Sequence, residues 1–117
     1  MVKATLILFL LLASVLAACN LQDQELYKKH GSQYPHLFRR IGGLWVSQPR
    51  YESTIVSKYG LSPPCAKCYG EAYTCGWSHC KWACKKEGPL CDQCLTSNEC
   101  IQNCNKCTNY FYYEVGG

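Results

Sequence analysis

The strongest constraint on this chain is cysteine. Ten of its eleven cysteines fall within the 43 residues from Cys65 to Cys107, and four of them crowd into the stretch CLTSNECIQNCNKC. Such density belongs to scaffolds held by cross-links rather than by a large apolar core. Below roughly 70 to 80 residues a core alone supplies about 3 to 5 kcal/mol, and each disulfide adds about 2 to 4 kcal/mol. The chemistry of the cross-links therefore decides the class of protein.

Metal binding has a pattern in its favour. Cys65-x2-Cys68 and Cys91-x2-Cys94 are separated by 22 residues, close to a four-cysteine zinc spacing, and His79 offers a further ligand. The other end of the chain argues against it. MVKATLILFLLLASVLAAC has one lysine, an apolar run from Leu6 to Leu12 and then small residues, the layout of a secretory signal peptide. An oxidising lumen converts neighbouring thiols to disulfides, whereas zinc needs them as thiolates. A thioredoxin-type redox role lacks the strand-helix-strand pattern that would hold the C-x2-C motifs. The expectation is a small, disulfide-rich, mainly α fold, its short helices stapled by five disulfides among Cys65, Cys68, Cys75, Cys80, Cys84, Cys91, Cys94, Cys100, Cys104 and Cys107. Neither a metal nor a cofactor is expected.

Residues 1–19 read as the signal peptide. Cleavage after Cys19 meets the small-x-small rule with Ala17 and removes the odd cysteine. A cut after Ala17 would retain Cys19 as an odd thiol able to bridge two chains. Leu16-Ala17-Ala18-Cys19 also fits a bacterial lipobox, in which Cys19 carries a lipid. The apolar run gives way to NLQDQE without a basic stop-transfer flank, so no stable membrane insertion is expected.

Charge narrows the partners. The chain carries a formal +4, but five of its twelve basic residues (Lys3, Lys28, Lys29, Arg39 and Arg40) precede Ile41. From Ile41 onward seven basic residues face six acids. A near-neutral domain argues against nucleic acid, which requires a basic stripe, and against a cationic membrane disruptor.

Lys28-Lys29 and Arg39-Arg40 are pairs of the kind secretory convertases cut, because two adjacent cations on an extended chain fit an acidic protease groove. On that reading residues 20–40 are a propeptide, disordered and dispensable for want of staples and apolar residues, and Ile41 opens the product. Paired basic residues are equally common on any surface. Residues 41–62 read as an N-terminal extension, mostly loop, with one short extended piece around Ser53 to Lys58. Residues 63–117 form the cysteine-rich helical domain.

Within that domain Ser62-Pro63-Pro64 opens a helix, with Ser62 as cap. Cys65, Cys68, Ala72 and Cys75 share one face of it, and Gly76 ends it. Ser78 caps a second helix, HCKWACKKE, stopped by Gly88-Pro89. Cys91 and Cys94 fit a single turn. Thr96 and Glu99 form a capping box for a last helix bearing Cys100, Cys104 and Cys107 on one face.

Cys80-x3-Cys84 and Cys100-x3-Cys104 resemble the paired C-x3-C motif of the alpha-hairpinins, small two-helix defence and toxin peptides, over Ser78 to Asn105. That resemblance implies two antiparallel helices with nested bridges, Cys80 to Cys104 and Cys84 to Cys100. The connection here carries two cysteines that the family lacks. Cys100 to Cys107 is also similar to the C-x3-C-x2-C opening of arthropod eclosion hormones, across eight residues.

No catalytic constellation is visible, and no enzyme activity is expected. His30, His36 and His79 are isolated, with no nucleophile elbow, paired carboxylates or phosphate loop beside them. Two aromatic groups are candidate contact surfaces: Trp77 and Trp82 among Lys81 and Lys85, and the run Tyr110, Phe111, Tyr112 and Tyr113. The expected function is a secreted, extracellular, toxin-like polypeptide binding a channel or receptor. The alternatives are a peptide hormone or pheromone, a secreted inhibitor, or a structural matrix protein.

Overall fold

The computed structural model describes residues 18–42 and 46–109. Among them all regular structure is helical: α1 Leu21–His30, α2 Tyr34–Gly42, α3 Gln48–Tyr59, α4 Pro63–Cys80, α5 Pro89–Ser97 and α6 Cys100–Thr108. Short 3-10 turns sit at Gly31–Gln33 and Ala83–Lys85. Five disulfides staple these helices, the fold class that the cysteine density implies.

The first correction concerns residues 20–40, expected to be disordered. Asn20 and Asp23 form a reciprocal capping box: the Asp23 N–H donates to Asn20 Oδ1 at 2.8 Å, and the Asn20 N–H donates to Asp23 Oδ2 at 2.9 Å. Asp23 is buried, and its other oxygen accepts the Ser62 N–H at 2.8 Å. The Ser62 hydroxyl also donates to Asp23, so it opens α4 without capping it. Tyr34, Phe38 and Ile41 recur at i, i+4 and i+7 on the buried face of α2, and Tyr27 joins them from α1. The Tyr27, Tyr34 and Phe38 rings stack or meet edge-on with one another and with Tyr59 and Tyr69 at centroid distances of 4.7 to 6.1 Å. This aromatic face supplies the apolar surface that the segment seemed to lack.

The second correction is α3, expected as an extended piece around Ser53 to Lys58. Ser47 accepts the Arg50 N–H, Pro49 lies in the first turn, and Gly60 ends the helix at φ 78°. Tyr51 and Ile55, one turn apart, are buried. Packing on α4 thus overrides the strand preference of Thr54-Ile55-Val56.

Helix α4 is the hub, against which α3, α5 and α6 all pack. It runs through Gly76 instead of ending there. Cys68–Cys107 and Cys75–Cys100 are spaced seven residues apart on both α4 and α6, so the two helices are stapled antiparallel at two rungs. Cys80–Cys94 and Cys84–Cys91 tie the end of α4 and the following turn to α5. The nested topology implied by the hairpinin resemblance is therefore present with other partners: Cys80 does not bond Cys104, nor Cys84 Cys100. Short loops explain the choice, since separations of 14 and 7 residues close with less entropy loss than those to α6.

The fifth bridge is Cys19–Cys65, and it uses the cysteine that a leader cut after Cys19 would remove. Cys19 is buried in the core, and the bond leaves it no thiol for a lipid. The odd cysteine is Cys104, expected in a bridge but free and buried.

Candidate functional site

The four cysteines of the zinc-like spacing are all held in disulfides. Cys65 and Cys68 bond Cys19 and Cys107, while Cys91 and Cys94 bond Cys84 and Cys80, so the two C-x2-C pairs do not converge. Cys19, Asp23 and Cys65 do cluster within ligand distance. Their sulfurs share a disulfide and the Asp23 oxygens hold Asn20 and Ser62, which makes the cluster structural. Beside it the Tyr27 hydroxyl lies 3.0 Å from Cys65 Sγ and within hydrogen-bond reach of the Tyr69 hydroxyl. Burial pushes Tyr27 well above the usual phenol range, so the hydroxyl keeps its proton.

Further along the same face of α4 the packing is more open. A cavity of about 730 Å³ lies among α2, α4, α5, α6 and the turn after α4. Its walls include Phe38, Tyr69, Ala72, Leu95, Ile101 and Cys104. Its charged lining residues are Arg39, Arg40, Lys81, Lys85 and Glu87. Two polar contacts link α2 to the far side: Arg39 donates to Asp92 at 2.7 Å in an ion pair, and His36 Nδ1 lies 3.3 Å from Glu87 Oε2.

Trp77 and Trp82, singled out in the sequence with Lys81 and Lys85, are brought together at this rim. Lys81 Nζ lies 5.2 Å from the Trp77 ring centroid and 5.5 Å from that of Trp82, and Lys85 Nζ lies 4.9 Å above Trp82. Trp82 and Leu90 are each 73 % exposed. Sequence reading missed Leu90 and the cavity. Leu90 carries no periodic signal, and the cavity needs α2, whose place in the fold was not foreseen. Tyr110, Phe111, Tyr112 and Tyr113 lie outside the described residues.

Fold and cross-links together define a small, all-helical, five-disulfide polypeptide with an aromatic and cationic rim. Comparisons with protein-family models, with curated proteins and with solved structures return no match.

Proposed function

We propose that this is a secreted, toxin-like polypeptide that binds an extracellular protein, a channel or receptor, through the surface formed by Trp77, Lys81, Trp82 and Lys85. The observation that carries the reading is the exposure of Trp82 beside two lysines on a covalently braced scaffold. Tryptophan is a frequent energetic centre of interfaces, and a rigid scaffold loses little entropy on binding. Five disulfides fit an extracellular location, because cytosolic thiols are kept reduced. A leader cut after Ala17 suits the bonded Cys19. The dibasic pairs support a second reading, a hormone or pheromone precursor; expression in neurosecretory cells rather than a venom or salivary gland would favour it.

The test is binding of fluorescently tagged protein to intact nerve and muscle cells. Binding should saturate, be displaced by untagged protein and vanish after brief protease treatment of the cells. Trp82→Ala with Lys85→Ala should weaken it by about tenfold or more, as loss of a central aromatic anchor does. Binding that survives protease treatment, or transfers to protein-free vesicles, removes the protein-partner reading.

A further inference from the structure

We propose that a dibasic-specific protease of the secretory route cuts the folded protein after Lys29, not after Arg40, and leaves two chains joined by Cys19–Cys65. Both pairs meet the residue requirement, since each presents two adjacent cations. They differ in where the fold puts them. Lys28 and Lys29 fall in the last turn of α1, and the bond to be cut leads into His30, whose backbone has left helical geometry at φ −131° and ψ −1°. Beyond it only the 3-10 turn Gly31–Gln33 intervenes before α2. Lys28, Lys29 and His30 are all exposed. Lys28 meets Glu25 at 3.1 Å within the same helix, but 72 % and 65 % of the two side chains are exposed, and such a surface pair opens easily.

The second pair has the reverse setting. Arg39-Arg40 has helical residues on both sides, Ile41 beyond the cut is buried, and Arg39 is tied to Asp92 of α5 at 2.7 Å. A buried aromatic ring precedes each pair, Tyr27 and Phe38, so the difference lies in the pair itself and on the far side of the cut. An exposed helix end opens locally at a far smaller free energy than a helix segment packed into a core, and cleavage follows the population of the open form. The step is hydrolysis of the Lys29-His30 peptide bond: water supplies the hydroxyl of a new Lys29 carboxyl group and the hydrogen on a new His30 amine. The fragment ending at Lys29 stays in place, because Cys19 bonds Cys65, Asp23 holds the Ser62 N–H at 2.8 Å and Tyr27 is buried. Only the encounter with a protease of this kind depends on the secreted reading; the order of cleavage in vitro does not.

The experiment exposes the oxidised chain from Ala18 to Gly117 to a limiting amount of a purified, calcium-dependent dibasic convertase and follows it by intact mass with and without reductant. The first product should weigh one water more than the parent, and reduction should release a fragment ending at Lys29 from a partner beginning at His30. Cleavage after Lys29 should run about tenfold or more ahead of cleavage after Arg40. That gap should close in the reduced, unfolded chain, where both pairs are extended. Lys29→Gln should remove the first cut and Arg40→Gln should leave its rate unchanged, with circular dichroism showing both variants folded. A first cut after Arg40, or the same order of cutting in folded and unfolded chains, overturns the proposal. Resistance at Lys29 that lasts until the whole molecule melts overturns it equally.

Discussion

Cys104 sits on α6 between two cysteines that bridge to α4, yet keeps its thiol. Burial first, and then the nearby Glu71, pushes that thiol from 9.0 up to about 12. It is therefore protonated at physiological pH and a poor nucleophile, which protects the neighbouring disulfides from exchange. Alkylation of the native protein should label nothing, and alkylation after unfolding without reductant should label Cys104 alone, as peptide mapping would show. The same shift makes stability pH-dependent. The neutral thiol is favoured in the folded state, so its contribution is complete below the unfolded value near 9 and is lost as pH rises toward 12, at about 1.4 kcal/mol per pH unit. Tyr27, also raised by burial, adds to this above pH 10. Cys104→Ala should cost about 1 kcal/mol at pH 7 through the small void it leaves, and should flatten the alkaline limb. Denaturant midpoints at pH 7 and pH 10 check this; equal alkaline losses in both proteins would assign the limb to the tyrosines.

At the level of elements, the sequence disclosed most where one rule acts alone and least where tertiary contact reverses a local preference. The start of α4 was legible because Pro63 fits only a first helical turn. Its end was not, since Gly76 reads as a stop by propensity, at about 1 kcal/mol against alanine. Disulfides at Cys75 and Cys80 hold the helix on either side of Gly76, and a Cβ there would meet Leu95 Cδ2 at 3.1 Å, so close approach of α5 favours glycine. Gly70 is a sharper case. A Cβ at that position would run into the Glu52 side chain, where α3 presses on α4. Gly70→Ala should destabilise the protein by about 1 to 3 kcal/mol through overpacking. In a Glu52→Ala background the clash is gone and the same change should stabilise by a few tenths to about 1 kcal/mol through helix propensity. Thermal melts of the four proteins of this cycle measure the coupling, and additive effects would place the α3–α4 contact elsewhere.

For the whole molecule, the decisive bond is the one no spacing rule could supply. Pairings cannot be deduced from cysteine order, and Cys19–Cys65 spans 46 residues and joins a segment read as dispensable to the hub helix. In the chain-entropy model a loop of that length gives about 4 kcal/mol, and burial of Tyr27, Tyr34 and Phe38 adds about 1.5 to 3 kcal/mol for each ring. Processing at Arg39-Arg40 then acquires a different outcome. The Arg40-Ile41 bond lies inside α2, between buried Phe38 and buried Ile41, with Arg39 held by Asp92. A protease that needs an extended chain must first unwind this helix, so cleavage of the folded, oxidised protein should be far slower than cleavage of the reduced chain. Once cut, the molecule should gain the mass of one water and lose nothing, because the disulfide and the aromatic face both retain the N-terminal fragment. It should run as one species without reductant and as two with it. A chain expressed from Ile41 onward lacks one wall of the core and should fail to melt cooperatively. Release of the fragment without reductant would show that Cys19 does not bond Cys65 in the folded protein. Cys65 would then appear as a second free thiol, and the leader cut after Cys19 would be restored.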